Sequence, residues 1–94
     1  MDNLSMINSL EIVESEASGG ELYYVYAKKT PECVKILQSI GVPDIDIEDM
    51  TNDEGDLIDI SNFGFEYAGA KWYSEDRGGF IDFIPDEAPE WCKA

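Results

Sequence analysis

Asp44, Asp46 and Glu48 place three carboxylates at alternate positions, with Ile45 and Ile47 between them. That alternation reads as a short β-strand, acids on one face and isoleucines anchored in a core on the other. Neighbouring carboxylates on such a face stand roughly 6.6 to 6.8 Å apart. Asp49, Asp53, Glu54, Asp56 and Asp59 continue the run, so residues 44–59 hold eight acids and no base. Each strand of a nucleic-acid duplex carries a phosphate about every 3.4 Å. A single acidic β-strand is a sparser ladder than that, but two side by side approach its density. The chemistry of such a surface is attraction of lysine and arginine; the plainer reading is a solvated sheet face.

The loop within this run invites comparison with a calcium-binding EF-hand. Placing Gly55 and Leu57 at the sixth and eighth loop positions puts Met50 where the first carboxylate belongs and Ser61 where the bidentate glutamate belongs. Two key ligands are missing, so no dedicated metal site is expected. Zinc is disfavoured further by the absence of histidine and by two unclustered cysteines, Cys33 and Cys92.

Catalytic signals are equally thin. Without histidine there is no Ser-His or Cys-His nucleophile pair. Gly19-Gly20 and Gly78-Gly79 lack the context of a phosphate-binding loop and read as turns. Twenty-one carboxylates single out no pair for glycosidase chemistry. The expectation is a protein that is not an enzyme and uses no cofactor.

Eleven aromatic residues form the second constellation: Tyr23, Tyr24, Tyr26, Phe63, Phe65, Tyr67, Trp72, Tyr73, Phe80, Phe83 and Trp91. Most belong to a core. Tyr24, Tyr26, Trp72 and Tyr73 are the candidates for interface anchors, since Tyr and Trp offer a large apolar body with a polar tip. Alternation leaves open whether Tyr24 and Tyr26 or Tyr23 and Val25 face outward.

The elements that must carry these residues read mostly as strand. Residues 8–16 and 21–28 flank Ser18-Gly19-Gly20 as a hairpin. Residues 30–40 read as a helix: Thr30 caps it, Pro31 suits the first position, Glu32 faces the positive end and Gly41 stops it. Val34, Leu37 and Ile40, flanked by Cys33 and Ile36, give it an apolar stripe. Residues 57–60 read as a strand, and 63–74 with 80–84 as a hairpin around Asp76-Arg77-Gly78-Gly79. Pro85 and Pro89 break up the tail, where Trp91 is expected to dock on the body. The predicted fold is α+β, in the order β-β-α-β-β-β-β: an antiparallel sheet of about five to six strands with one short helix on a face.

Composition sets the frame. Ninety-four residues suit a single domain, residues 1–94, and 44% hydrophobic with 12% aromatic residues is too apolar for a disordered acidic tail. Twenty-one acids against six bases give a net charge of −15. A magnitude of about 2 to 8 suffices for the solubility of a small domain. The excess therefore points to a basic protein partner and a monomeric state. It argues against direct binding to nucleic acid or an anionic membrane, whose charge has the same sign. Residues 1–27 carry Asp2, Glu11, Glu14, Glu16 and Glu21 without a base. Residues 28–43 are net positive through Lys28, Lys29 and Lys35 against Glu32. Residues 75–90 carry six more acids against Arg77. The start, MDNLSMINSL, lacks the basic and apolar regions of a secretory leader, so a cytoplasmic location and free thiols are expected. A disulfide between Cys33 and Cys92 is the alternative.

In size, acidity and lack of catalytic features along the whole chain, the sequence resembles the small acidic inhibitors that phages use against host defences, the DNA-mimic anti-restriction and anti-CRISPR proteins. The resemblance implies that an acidic face, here residues 44–59, occupies a groove built for nucleic acid on a nucleic-acid-binding protein or nuclease complex. An immunity protein that neutralises a nuclease toxin needs the same complementarity. An acidic accessory domain whose charge serves solubility is the reading of a different class.

Overall fold

The β1–β2 hairpin is the frame on which the chain folds. The computed structural model describes residues 2–18, 21–74 and 77–86. Strand β1 (Ile12–Ser18) pairs antiparallel with β2 (Glu21–Lys28), and β3 (Leu57–Asp59) adds to the other side of β2, giving the order β1-β2-β3. A second, two-stranded antiparallel sheet joins β4 (Trp72–Ser74) to β5 (Gly79–Ile81). The fold is α+β with antiparallel sheets, as expected, but two sheets replace the one. Among the described residues, four helices replace the single one. The turn at Gly19-Gly20, Asp76, and the tail with Trp91 and Cys92 lie outside the described residues.

Helix α2 (Pro31–Ser39) follows its sequence signals. The Thr30 hydroxyl accepts from Cys33 N at 3.1 Å, and Gly41, at φ +103°, leaves the helix in the left-handed region. Cys33, Leu37 and Ile40 are buried, while Val34 and Ile36 are half-buried beside them.

Two of the other three helices correct a reading as strand, and the third, near the start of the chain, meets the strand expected over residues 8–16 only at Asn8. Helix α1 (Asn3–Asn8) occupies the stretch before Ile12, capped by the Asp2 carboxylate, which accepts from Ser5 N at 2.7 Å. Leu4, Ile7 and Leu10, at three-residue spacing, turn toward the core. Residues 44–48, expected as a strand, begin helix α3 (Asp44–Met50). Asp44 and Asp46 sit in its first turn, where the helix dipole favours negative charge. Ile47 and Met50, one turn apart, face the core, and Ile45 is 67% exposed instead of anchored. Helix α4 (Ser61–Tyr67) replaces the front of the strand expected over residues 63–74. Its Phe63 and Gly64 are buried and Tyr67 packs against the core. Only the hairpin that follows keeps the expected antiparallel form, shortened to three residues a side.

One hydrophobic cluster joins these elements. Val25 and Ala27 of β2 and Ile58 of β3 point inward from the sheet, meeting Ile7 of α1, Leu37 of α2, Ile47 of α3 and Phe63 of α4. The β4–β5 hairpin is held to this body by Asn8. Its side chain accepts from Phe80 N and donates to Phe80 O, both at 2.8 Å, so one amide satisfies both backbone groups of the strand residue. The Phe80 ring then stacks edge-on against Tyr73 at 5.0 Å and Phe65 at 5.9 Å.

A bulge sets which face of β1 points where. Ile12 pairs with Ala27, but Glu14 pairs with Tyr26, so Val13 is an extra residue between them. Without it Ile12 and Glu14 would share a face. With it Ile12 packs toward the core, while Glu14 and Glu16 stand beside Tyr26 and Tyr24 on the outer face.

Phe80 lies directly over Gly64, where an added Cβ would collide with its ring. Gly64→Ala is expected to lower stability by about 1 to 3 kcal/mol through overpacking. Asn62→Ala, on the exposed side of the same helix, should stay within about 0.5 kcal/mol. Urea unfolding of the two variants checks this.

Candidate interaction surface

The eight acids of residues 44–59 do not form a ladder on one strand. In α3, Asp44 and Glu48 are four residues apart and share a flank, with Asp49 and the exposed Ile45 beside them. Asp44 Oδ1 accepts from Gln38 Nε2 at 2.8 Å, which ties α3 to α2. Asp46, two residues on, points elsewhere: it is half-buried and accepts from the Tyr67 hydroxyl at 3.3 Å. Burial first, and then the Asp46 charge, hold that phenol above its ordinary pKa.

Asn52 organises the loop after α3. Its Oδ1 accepts from Asp56 N at 3.1 Å and Leu57 N at 3.2 Å, and its Nδ2 donates to Glu54 Oε2 at 3.1 Å and Asp56 Oδ1 at 2.8 Å. Gly55 at φ +77° permits the turn. Glu54 and Asp56 thus converge on an amide donor. Among the described residues, no group of three or more His, Cys, Asp or Glu is arranged to hold a metal ion. Asp53, Glu54 and Asp56 are all exposed.

Asp59 has a structural task. Its Oδ1 accepts from Ser61 Oγ at 2.7 Å, Ser61 N at 3.0 Å and, at longer range, Val25 N at 3.4 Å. It fastens the start of α4 to β2. Six of the eight acids therefore remain exposed: Asp44, Glu48 and Asp49 on α3, and Asp53, Glu54 and Asp56 on the adjoining loop.

The aromatic candidates divide in the same way. Tyr24 and Tyr26 lie side by side on the outer sheet face, ring centroids 4.8 Å apart and half-buried, while Val25 between them is fully buried. This settles the alternation of β2; the side chain of Tyr23 lies outside the described set. Trp72 is half-buried. Tyr73, expected as an anchor, is a core residue packed on Phe80. Glu14 and Glu16 were not among the sequence candidates, yet they flank the tyrosine pair, and the Tyr24 hydroxyl donates to Glu14 Oε1 at 3.3 Å. The bulge at Val13 that brings them there has no signature in the alternation of the residues.

A cleft of about 220 Å³ lies between the segment that follows α1, the end of β2 and α2, with Glu11, Lys28, Glu32 and Cys33 in its wall. Cys33 is a free thiol, 2% exposed, and burial pushes its pKa up. A thiol kept protonated is a poor nucleophile. Among the described residues no helix is long and apolar enough to cross a membrane. Searches against protein-family models, curated proteins and solved structures found no match for this chain.

Two measurements follow from this distribution. Asp59→Ala should cost about 2 kcal/mol by leaving the Ser61 and Val25 donors without their carboxylate, whereas Asp53→Ala should be neutral or slightly stabilising; chemical denaturation separates them. The Tm should also rise as salt is added from low ionic strength toward about 0.15 M, where the Debye length falls to about 8 Å and self-repulsion is screened. A flat or falling Tm over that range contradicts the repulsion argument.

Proposed function

We propose that this chain is a non-catalytic inhibitor that presents its acidic surface to the basic, nucleic-acid-binding surface of another protein and blocks it. The observation that carries the reading is the outward placement of Asp44, Glu48, Asp49, Asp53, Glu54 and Asp56 on one continuous piece of chain, α3 and its loop. Among the described residues, hydrogen bonds from Gln38 and Asn52 are the contacts these carboxylates make, and neither donor carries a charge. Their field is therefore left for a partner. An excess of negative charge speeds association with a positively charged groove and excludes nucleic acid from the same place. A phage inhibitor of a host defence complex and an immunity protein for a nuclease toxin both fit this surface. A cytoplasmic setting suits either.

The test is capture and competition. The immobilised chain should retain nucleic-acid-binding proteins from a cell lysate, and duplex DNA should displace them. Proteins retained equally in the presence of excess DNA would refute the reading. With a captured partner in hand, Asp44→Asn, Glu48→Gln and Asp49→Asn combined should weaken binding at least tenfold. Close interfacial charge pairs can couple by about 1.5 kcal/mol or more each. A control that removes the same charge elsewhere, Glu11→Gln, Glu32→Gln and Glu66→Gln, should lose far less. Equal losses would mean that net charge alone matters.

A further inference from the structure

The outer face of the β1–β2 hairpin combines two features that residues 44–56 lack: paired aromatic rings and carboxylates set directly across from them. Tyr24 and Tyr26 present half-buried rings at 4.8 Å with a 35° tilt. Glu16 stands opposite Tyr24 and Glu14 opposite Tyr26, both exposed. Glu14 also reaches diagonally to the Tyr24 hydroxyl. The field of both carboxylates converges there: after burial, the Glu14 and Glu16 charges are the next largest influences raising the Tyr24 pKa.

This combination selects a particular cation. Arginine has a flat, weakly hydrated guanidinium that stacks on aromatic faces and forks onto a carboxylate, whereas lysine offers a compact, strongly hydrated charge. Phosphate is repelled, and a purely apolar partner would strand the two glutamates. We propose that Tyr24 and Tyr26, framed by Glu14 and Glu16, form a docking site for an arginine side chain on the basic surface of the partner. The inference rests on the reading above that the partner is basic. It adds a second contact, remote in sequence from α3, and names the side chain that fills it.

The test uses the full chain and two probes of equal charge, hexa-arginine and hexa-lysine peptides, followed by NMR chemical-shift titration at low salt. The expected result is that signals of residues 14, 16, 24 and 26 move most with hexa-arginine, and that hexa-arginine binds this face at least about threefold more tightly than hexa-lysine. Tyr24→Phe with Tyr26→Phe should keep the preference, since the rings remain. Tyr24→Leu with Tyr26→Leu should abolish it. Should the leucine pair fail to fold, Glu14→Gln with Glu16→Gln tests the carboxylate half, with an expected loss of about tenfold in hexa-arginine affinity. Equal binding of the two peptides, shifts centred on residues 44–56, or no binding of either would overturn the proposal. The two readings fail separately. Loss of peptide binding only in the α3 triple variant removes the arginine site and leaves the basic partner standing. A sheet face that behaves as expected, with captured proteins that DNA does not displace, does the reverse.

Discussion

Asp59 is where the chain's charge meets its core. A buried or half-buried carboxylate must be hydrogen-bonded, because losing its water without replacement costs several kcal/mol. With six bases for twenty-one acids, cations cannot do that work throughout. Asp59 is satisfied instead by neutral donors, the hydroxyl and amide of Ser61 and the amide of Val25. Those bonds join β3, the start of α4 and the central strand. The placement of Gly64 under Phe80, and hence the seat of the second hairpin, depends on where α4 begins. Asp46 follows the same logic with the Tyr67 hydroxyl. The carboxylates that lack such donors are driven outward, so the acidic surface results partly from what the interior can accommodate.

The legible parts of the fold were those in which several local signals agreed. Thr30, Pro31 and Gly41 bracketed α2 independently of its apolar stripe, and all three act as their chemistry suggests. The aromatic and branched residues 22–26 identified β2, and the pairing of β1 with it followed. Residues 44–48 misled because five alternating residues fit a strand and the start of a helix alike. Period alone cannot separate the two over so short a span. What decided it was Pro43 and the two aspartates at the positive end, together with Met50 completing the inward face with Ile47. In residues 63–67 the aromatics suggested strand, but a glycine at 64 let a helix lie close under Phe80. Tertiary packing outweighed propensity there.

The candidate surface was legible as composition and not as geometry. Residues 44–59 were visible as an acid-only run, yet two of its members, Asp46 and Asp59, serve internal contacts. Tyr24 and Tyr26 were recognisable as possible anchors, but their face was not, and Tyr73 belongs to the interior. Glu14 and Glu16 reach the tyrosines only through an extra residue in β1. Such irregularities are set by how the strands pair across the hairpin, which residue types in one strand do not encode.

That extra residue also bears on how copies of the protein meet one another. Among the described residues β1 pairs on one side only, leaving a row of amides and carbonyls along the rim of the sheet. An open rim of this kind invites strand-by-strand stacking of identical molecules. The irregular step at Val13 breaks the regular spacing a second strand would need, and Glu14 and Glu16 set like charges against any copy that approached in register. Exchanging these glutamates for glutamine would remove that local repulsion and leave the kink to keep a second strand from pairing.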